Sequence, residues 1–200
     1  HSYYRSFFDG PSSHCRIATA RAGNVIGGGD WAADRIVPDS VRAWSKKEMV
    51  YIRNPKATRP WQHVLEPLSG YLWLGSYLSK HPKLNGESFN FGPDYKVSES
   101  VSELIKMFSK HFSDSKWKCR DSRGANTSKE SQFLKVSCDK ALKFLNWYAV
   151  LPFGDTIKMT AEWYEEYYKN KNNDMLYFTI TQIERYIKEA KRQGLAWAKD

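Results

Sequence analysis

The sequence predicts an α/β protein that carries only part of a doubly wound parallel sheet. Predicted strands and helices alternate along the first half of the 200 residues, which is the order of βαβ units. The stretch "CRIATARAGNVI" combines β-branched and small residues, as expected for a parallel strand that is covered on both faces. With 41% hydrophobic and 15% aromatic residues, the chain can also form a packed interior. The predicted strands are too few for a complete sheet of this class.

The first half of the chain contains predicted elements that turn-forming residues separate from each other. The dipeptide Gly10-Pro11 ends the first helix, and Asn54-Pro55 ends the second strand. These elements are a helix end at 1–8, a strand at 15–26, a helix at 35–47, a strand at 48–55 and a helix at 66–81. In the helix at 66–81, which has Pro67 near its start, we expect a buried stripe of Leu68, Leu72, Gly75 and Leu78.

The second half begins with a strand at 86–93 that has Phe89 and Phe91 on one face. Ser98 or Ser100 can cap the helix that follows, because a serine hydroxyl accepts a hydrogen bond from a free N–H group of the first turn. The polar stretch at 121–131 is expected to be a mobile loop. The apolar side chains that we expect this helix to bury are Val101, Leu104, Ile105, Phe108 and Phe112.

Three further helices are predicted after the polar stretch. A capped helix covers 136–147, and a helix at 151–168 has one apolar face. The last helix covers 179–194, with Thr181 and Glu184 as a capping box and Gly194 at its end. The apolar face of the middle helix consists of Ile157, Ala161, Tyr164 and Tyr168.

Composition argues against several classes of protein. No run approaches 18 apolar residues, and the chain opens on "HSYYRSFF" without a charged and then apolar leader, so we expect neither a membrane span nor a signal peptide. Cys15, Cys119 and Cys138 are an odd number without metal-ligand spacing, which favours reduced thiols in a cytoplasmic protein and no metal site. The net charge of +9 is spread over predicted helix faces, so a nucleic-acid binder is indicated by charge alone and by no motif.

Two short motifs match cofactor chemistry but lack its structural context. Residues 27–32, "GGGDWA", fit the G-x-G-x-x-A fingerprint of a dinucleotide-binding turn. No helix is predicted directly after them, and the next strand, "MVYIRN", lacks the acidic residue that the fingerprint requires. Tyr167 and Lys171 have the Y-x-x-x-K spacing of a catalytic pair, but they lie at the end of an aromatic helix. We interpret the first motif as a backbone turn, and the second as a packed tyrosine beside a solvated lysine.

A longer pattern of motifs is left when these two are set aside. The stretches "RAGNVIGGGDW", "DRIVPD", "IRNPKATRPWQHVLEPLSGYL" and "NFGP" occur in this order. Together they resemble the second half of the extended short-chain dehydrogenase/reductase family, in its branch of 4,6-dehydratases that act on CDP-glucose. The resemblance is strong over residues 16–92, weaker through "SCDKALKFLNW" and "EWYEEYY", and ends at about Asn172.

This resemblance implies the end of a Rossmann-type NAD-binding domain followed by a smaller α/β substrate domain. Family members oxidise the sugar at C4 by hydride transfer to NAD, eliminate water across C5 and C6, and return the hydride to C6. The phosphate-binding glycine turn and the Tyr-x-x-x-Lys pair would precede His1, so we expect no catalytic residue in this chain. The implied boundaries are 1–30 for the end of the NAD-binding domain, 31–172 for the substrate domain and 173–200 for a helical tail.

The resemblance also assigns binding residues. Asn24, Arg59 and Asn90 match family residues that contact the diphosphate of the nucleotide sugar, for which a guanidinium is the strongest single donor. The alternative for each is an ordinary turn asparagine or a solvated arginine. The other positions matched for the substrate are Arg35, where relatives have lysine, Ile36, Arg53 and His63. Ala22 and Gly23 also match, and they would face the nicotinamide by their backbone.

Two functions stay open on the sequence alone. The chain is either the nucleotide-sugar-binding part of an NAD-dependent dehydratase, present as a piece of a longer protein, or a non-catalytic nucleotide-sugar-binding or interaction module. An upstream, in-frame glycine turn and Tyr-x-x-x-Lys pair would favour the first function. Because the strand at 15–26 lacks neighbours on one side, we expect the isolated chain to aggregate or to form a homodimer through that open edge.

Overall fold

The computed structural model describes residues 2–10, 15–94, 98–120, 134–170 and 174–199. Helices and strands alternate through the first half of the chain, and mostly helices follow. The helices are α1 (Ser2–Phe7), α2 (Ile36–Ser45), α3 (Leu65–Lys80), α4 (Val101–Ser109), α5 (Asp139–Leu145), α6 (Phe153–Lys169) and α7 (Met175–Arg192). The strands are β1 (Thr19–Ala22), β2 (Asn24–Ile26), β3 (Met49–Ile52), β4 (Thr58–Arg59), β5 (Trp61–His63), β6 (Ser88–Phe91), β7 (Glu99–Ser100) and β8 (Lys116–Cys119).

Most of the strand pairs within the described ranges are parallel. β1 pairs with β6, β2 with β5 and β3 with β8 in parallel, whereas β4 and β7 are antiparallel. Parallel partners are far apart in sequence because the chain must cross over between them, and α2 and α3 lie in such crossovers. The predicted α/β class with parallel strands is confirmed.

The predicted strand at 15–26 is divided in two at Gly23, so the prediction of one continuous strand is wrong. β1 pairs with β6 before this glycine, and β2 pairs with β5 after it. A β-carbon on Gly23 would lie 2.8 Å from the carbonyl oxygen of Pro60, an approach that only glycine allows. The amide N–H of Gly23 donates to the carbonyl oxygen of Phe91 at 3.2 Å. Gly23 is therefore the point at which the chain changes its pairing partner.

The segment 58–63 forms two short strands that the sequence pattern does not predict. β4 pairs with β7, and β5 pairs with β2. Pro60 separates the two strands and has no backbone N–H for a ladder. Each strand is too short for an alternating pattern to show, and all three residues of β5 are buried. The segment that carries the candidate site residues Arg59 and His63 is thus invisible to periodicity.

The buried face of α3 differs from the predicted stripe. Leu68 (45% exposed) and Leu72 (77% exposed) point to solvent, so their predicted burial is wrong. No described atom lies within 4 Å of the position of a β-carbon on Gly75. α3 instead packs through Gly70, whose β-carbon would lie 2.2 Å from the ring of Phe91. The buried residues of α3 are Glu66, Pro67, Gly70, Leu74 and Leu78.

The helices α4, α5 and α6 follow the predictions with some differences. Ser100 caps α4, because its hydroxyl accepts a hydrogen bond from the N–H of Glu103 at 3.1 Å, which confirms one of the two predicted caps. α5 begins at Asp139 without a side-chain cap, contrary to prediction. On α6, Tyr168 is 38% exposed, so the predicted apolar face ends before it. The stretch 121–131, predicted as a mobile loop, lies outside the described residues.

The last helix begins earlier than predicted. Asp174 caps α7 by accepting hydrogen bonds from the N–H groups of Leu176 and Tyr177. The predicted capping box of Thr181 and Glu184 is therefore wrong, because both residues lie inside the helix. The predicted end is confirmed: α7 stops at Arg192, and Gly194 has a φ of +74°.

Clusters of buried apolar side chains hold these elements together. One cluster joins α2, α4 and α6 to β2, β3 and β5. A second packs α3 and α5 against β6, with Trp147 fully buried among them. A third fixes α7 to α6 and to the segment at Val150 and Leu195. Among the described helices, none has the length and apolar character needed to cross a bilayer.

The glycine run at 27–29 packs directly against α6. A β-carbon on Gly28 would lie 2.0 Å from Cγ of Trp163, far inside van der Waals contact. The next helix, α2, begins only at Ile36, so no helix N-terminus follows the glycines closely. The glycine run therefore allows the backbone to lie close to Trp163 of α6. Among the described residues, it has no feature of a phosphate-binding turn.

We expect Gly28→Ala to destabilise the protein by about 1–3 kcal/mol, because its methyl group overlaps the indole of Trp163. The matched control is Gly75→Ala in the exposed part of α3, where a methyl group meets no described atom and should stabilise the helix by about 0.5–1 kcal/mol. Urea unfolding of both variants measures the difference. Equal stabilities for the two variants would contradict the tight packing of the glycine run.

Candidate functional site

The candidate site residues gather where parallel strands end. Ala22 is the last residue of β1, Asn24 is the first of β2, and Gly23 joins them. Arg59 lies in β4, and Asn90 is next to the end of β6. In α/β sheets, ligands bind at the carboxyl ends of parallel strands, because backbone groups and loops converge there. The strand pairing therefore brings these positions to one region of the fold.

Asn24 and Arg59 lie on two chain segments that meet where β2 pairs with β5. The Cα atom of Asn24 is paired with that of Trp61, two residues after Arg59 in sequence. The contact of Gly23 with Pro60 brings the two chains together at this point. Asn24 is half-buried, and within the described part of the chain its side-chain amide has no hydrogen-bond partner. A ligand could therefore use both its donor and its acceptor.

Arg59 is a buried arginine, with only 8% of its surface exposed. Its Nη1 donates to the carbonyl oxygen of Thr58 at 2.8 Å, and β4 pairs it with Glu99 of β7. A guanidinium stays charged at any physiological pH, so its burial is costly unless anionic or carbonyl oxygens surround it. Arg59 therefore places a buried positive charge close to the ends of β1 and β2.

Asn90 is engaged by two neighbours. Its Oδ1 accepts a hydrogen bond from Nε of Arg21 at 3.1 Å, and its Nδ2 donates to the carbonyl oxygen of Ser137 at 3.0 Å. Arg21 is exposed and lies opposite Asn90 in the pairing of β1 with β6. The amide of Asn90 thus orients the guanidinium of Arg21, and the two terminal nitrogens of that guanidinium can bind other partners. No sequence pattern marks Arg21, because its link to Asn90 depends on strand register.

The remaining substrate candidates lie at the start of α2 and the end of β3. Arg35 is exposed and is the N-cap residue of α2, and Ile36, its first residue, is half-buried. Arg53 directly follows β3, is exposed, and its Nη2 lies 3.9 Å from Oδ1 of Asp34. This weak ion pair brings the loop before α2 and the end of β3 together.

His63 is buried, with 2% of its surface exposed. Its Nδ1 accepts a hydrogen bond from the N–H of Leu65 at 3.3 Å, and its Nε2 has no partner among the described residues. Burial, with a smaller contribution from the charge of Arg185, lowers the pKa of His63 to about 4. The imidazole is therefore neutral, and it faces the glycine run, with Nε2 3.9 Å from the position of a β-carbon on Gly27.

Glu66, at the start of α3, is a buried carboxylate that the sequence analysis did not single out. Its Oε1 accepts hydrogen bonds from the N–H groups of Val150 (2.9 Å) and Leu151 (2.7 Å). Its Oε2 accepts from the hydroxyl of Tyr186 at 2.9 Å. Burial raises the pKa of Glu66 to about 7, and these three donors oppose the shift. The carboxylate ties the helix that follows the site to the segment before α6 and to α7.

Aromatic side chains surround the end of α6. Tyr167 stacks on Trp163 at 5.6 Å with an angle of 10°, and Trp31 lies 5.0 Å from Tyr167. Tyr167, the tyrosine of the Y-x-x-x-K spacing, is therefore part of a ring cluster, and Lys171 lies outside the described residues. Elsewhere in the described ranges, no three metal-ligating side chains come together.

The chain matches no protein-family model, but it is similar to a known protein along most of its length. The chain is 35% identical over 196 residues to CDP-glucose 4,6-dehydratase of Salmonella typhimurium, which covers 96% of this chain and 53% of that protein. It therefore spans about half the length of this curated relative. The similarity confirms the resemblance that the motifs predict, and because it covers 96% of the chain, it extends beyond Asn172, where the motifs were expected to end.

Solved structures share the fold. UDP-glucuronic acid 4-epimerase of Bacillus cereus, solved with UDP-glucuronic acid and NAD, superimposes with a TM-score of 0.65 at 17% identity, over 84% of this chain and 49% of that chain. An epimerase of Methanothermobacter thermautotrophicus gives a TM-score of 0.65 at 20% identity, over 84% of this chain and 47% of that chain. The described residues thus correspond to about half of the fold of these epimerases.

We expect the contribution of Glu66 to the stability of the protein to fall as the pH rises from about 5 to about 8. Its pKa in the folded protein, about 7, lies above the reference value of 4.5, so burial favours the protonated form. The stability that this proton contributes is complete below pH 4.5 and is lost as the pH rises through about 7. The total loss should approach about 3 kcal/mol.

The matched control is Glu66→Gln, whose amide oxygen can still accept from Val150 and Leu151 but cannot titrate. Urea unfolding at several pH values measures both proteins. The difference between them isolates Glu66, because all other groups are shared. Parallel pH profiles for the two proteins would contradict the assignment.

Proposed function

We propose that this chain is the nucleotide-sugar-binding, C-terminal part of an NAD-dependent CDP-glucose 4,6-dehydratase of the extended short-chain dehydrogenase/reductase family. Such an enzyme converts CDP-glucose to CDP-4-keto-6-deoxyglucose and water. The observation that carries the proposal is the 35% identity to CDP-glucose 4,6-dehydratase along 96% of the chain. The fold shared with nucleotide-sugar epimerases supports the same class of ligand.

The diphosphate of the nucleotide sugar would bind between Asn24 and Arg59. Two linked phosphoryl groups need several donors in a partly dry site, and a buried guanidinium is the strongest single donor for them. Arg59 is buried and lies two residues before Trp61, the strand partner of Asn24. The amide of Asn24 is half-buried and has no partner in the described part of the chain. The closeness of these two positions supports convergence on one anion.

Asn90 would act through Arg21. The hydrogen bond from Nε of Arg21 to Oδ1 of Asn90 leaves both terminal nitrogens of the guanidinium free to form a fork. The bond from Nδ2 of Asn90 to Ser137 fixes the amide in turn. We therefore add Arg21 to the proposed diphosphate-binding set and assign Asn90 the role of holding it.

The nucleoside and the sugar would extend from the diphosphate in opposite directions. Arg53, at the end of β3, and Arg35 with Ile36, at the start of α2, would border the base and the substrate. His63 is buried and neutral, which supports a role in shaping the glycine run rather than in direct contact. These assignments follow the matched family positions.

NAD would approach Ala22 and Gly23. Residues without bulky side chains suit a backbone contact with a flat nicotinamide ring, and both are half-buried at the end of β1. NAD, when bound, takes the hydride from the sugar and returns it later in the cycle. In the described residues β1 has a neighbour, β6, on one side only, and Thr19 and Ala20 are exposed. This edge is where the remaining half of such an enzyme would add its strands.

Calorimetric titration of the chain with CDP, CDP-glucose and dTDP-glucose tests the proposal. We expect binding of CDP and CDP-glucose, and a loss of affinity of about 10-fold to 100-fold in Arg59→Ala, because a buried charged donor is removed. Asn24→Ala should weaken binding by about 5-fold to 10-fold with little effect on stability. Arg185→Ala, which removes an exposed charge on α7, is the matched control and should bind as the parent does.

No binding of any of these ligands at about 1 mM would remove the support for the proposal, provided that the chain is folded by circular dichroism. Equal losses in Arg59→Ala and Arg185→Ala would show a non-specific effect of charge. Tighter binding of dTDP-glucose than of CDP-glucose would contradict the proposed base preference.

A double-mutant cycle tests the role of Asn90. We expect Arg21→Ala to weaken CDP binding by about 10-fold, and Asn90→Ala to weaken it less, because the guanidinium is then misdirected and not removed. In the Arg21→Ala background, the second substitution should have no further effect. Additive losses in the same titrations would instead indicate that Asn90 contacts the ligand directly.

A further inference from the structure

Gln62, in the middle of β5, is a buried polar side chain to which the proposed site assigns no role. Its exposed surface is 1%, and β5 pairs it with Val25 of β2. Its Nε2 donates to the carbonyl oxygen of Phe91 at 3.0 Å, whereas its Oε1 has no hydrogen-bond partner among the described residues. The contact fixes the orientation of the amide, because two carbonyl oxygens cannot hydrogen-bond to each other.

The carbonyl oxygen of Phe91 joins two pairs of strands. Among the described residues, β1 with β6 and β2 with β5 form separate two-stranded ladders. Phe91 is the last residue of β6, and its carbonyl oxygen also accepts from the N–H of Gly23 at 3.2 Å. This oxygen therefore receives one donor from the link between β1 and β2 and a second donor from β5. We refer to it as the Phe91 junction.

Each segment that meets at the Phe91 junction carries a residue of the proposed diphosphate site. Asn24 directly follows the glycine of the junction, and Asn90 directly precedes Phe91. Arg59 is the last residue of β4, and a single residue separates it from β5. The distances between these donors therefore depend on how the two ladders are held together. A site with several donors gains affinity when they are in position before the ligand binds.

We propose that Gln62 is a positioning residue for the diphosphate site, and that it acts by holding the strand of Asn90 against the strand pair that contains Asn24. This inference rests on the proposed function. Packing alone does not account for a glutamine here, because an unpaired buried oxygen costs stability and methionine would fill a similar space without that cost. The hydrogen bond of Nε2 to the Phe91 junction accounts for the amide.

Gln62→Met separates positioning from packing, since it keeps the length of the side chain and removes the donor. Calorimetric titration should show a CDP affinity about 5-fold to 10-fold lower than that of the parent, the loss expected from one hydrogen bond. The affinity for CMP should fall less, because one phosphoryl group needs fewer converging donors. The midpoint of urea unfolding should stay close to that of the parent, because the substitution also removes the unpaired oxygen.

The matched control is Gln182→Met. Gln182 is also a buried glutamine, with 5% of its surface exposed, and its Nε2 also donates to a backbone carbonyl, that of Met159 at 2.8 Å. This bond joins α7 to α6 and involves none of the strands that carry the proposed donors. We expect Gln182→Met to bind CDP and CMP as the parent does.

Three results with a parent that binds CDP would overturn the role of Gln62 and leave the proposed function in place. The first is an equal loss of CDP affinity in Gln62→Met and Gln182→Met. The second is a CDP affinity of Gln62→Met that equals that of the parent. The third is a Gln62→Met chain that fails to fold by circular dichroism, which would show that Gln62 serves packing.

Hydrogen exchange of the chain without ligand tests the Phe91 junction independently. The amide proton of Gly23 should exchange about 10-fold faster in Gln62→Met than in the parent, because the carbonyl that it bonds to is held less firmly. Its exchange should be unchanged in Gln182→Met. An unchanged rate in Gln62→Met would overturn the proposal even where CDP binds. A parent that binds neither nucleotide contradicts the proposed function instead, and the exchange rates then decide whether Gln62 holds the junction.

Discussion

The contact between Gly23 and Pro60 is the constraint on which the candidate site depends. Because no side chain stands between them, β2 can leave the line of β1 and pair with β5. This change of pairing from β6 to β5 brings Asn24 next to the chain segment that contains Arg59. A β-carbon at position 23 would lie 2.8 Å from the carbonyl oxygen of Pro60, so one of the two segments would have to shift, and the proposed diphosphate site would change with it.

The carboxylate of Glu66 connects this arrangement of strands to segments later in the chain by hydrogen bonds. It lies three residues after the end of β5, and its three hydrogen-bond donors come from the segment before α6 and from α7. β5, which follows the strand of Arg59 in sequence, is therefore anchored to elements that lie far along the chain. α7 belongs to the part of the sequence with no motif of its own, yet the structure binds it firmly to the site region through Tyr186.

Local patterns predicted much of the fold, and long-range contacts explain most of the rest. Ser100 and Gly194 mark helix ends through hydrogen bonds or backbone angles within their own turns, so the sequence shows them. The buried face of α3 includes Glu66 and Gly70, which no hydrophobic pattern reveals. The resemblance pointed to Asn24 and Arg59, whereas Arg21 was missed, because its partner Asn90 is 69 residues away.

The buried hydrogen-bond network around Glu66 extends to the indole of Trp147. Nε1 of Trp147 donates to the hydroxyl of Ser69 at 3.0 Å, and that hydroxyl lies 3.0 Å from the phenol oxygen of Tyr186, which bonds to Glu66. Because Trp147 is fully buried, its emission is shielded from solvent quenchers. Hydrogen bonds thus connect the carboxylate through two hydroxyl groups to one of the eight tryptophans of the chain, and we expect a change in the charge of Glu66 to alter the surroundings of that fluorophore.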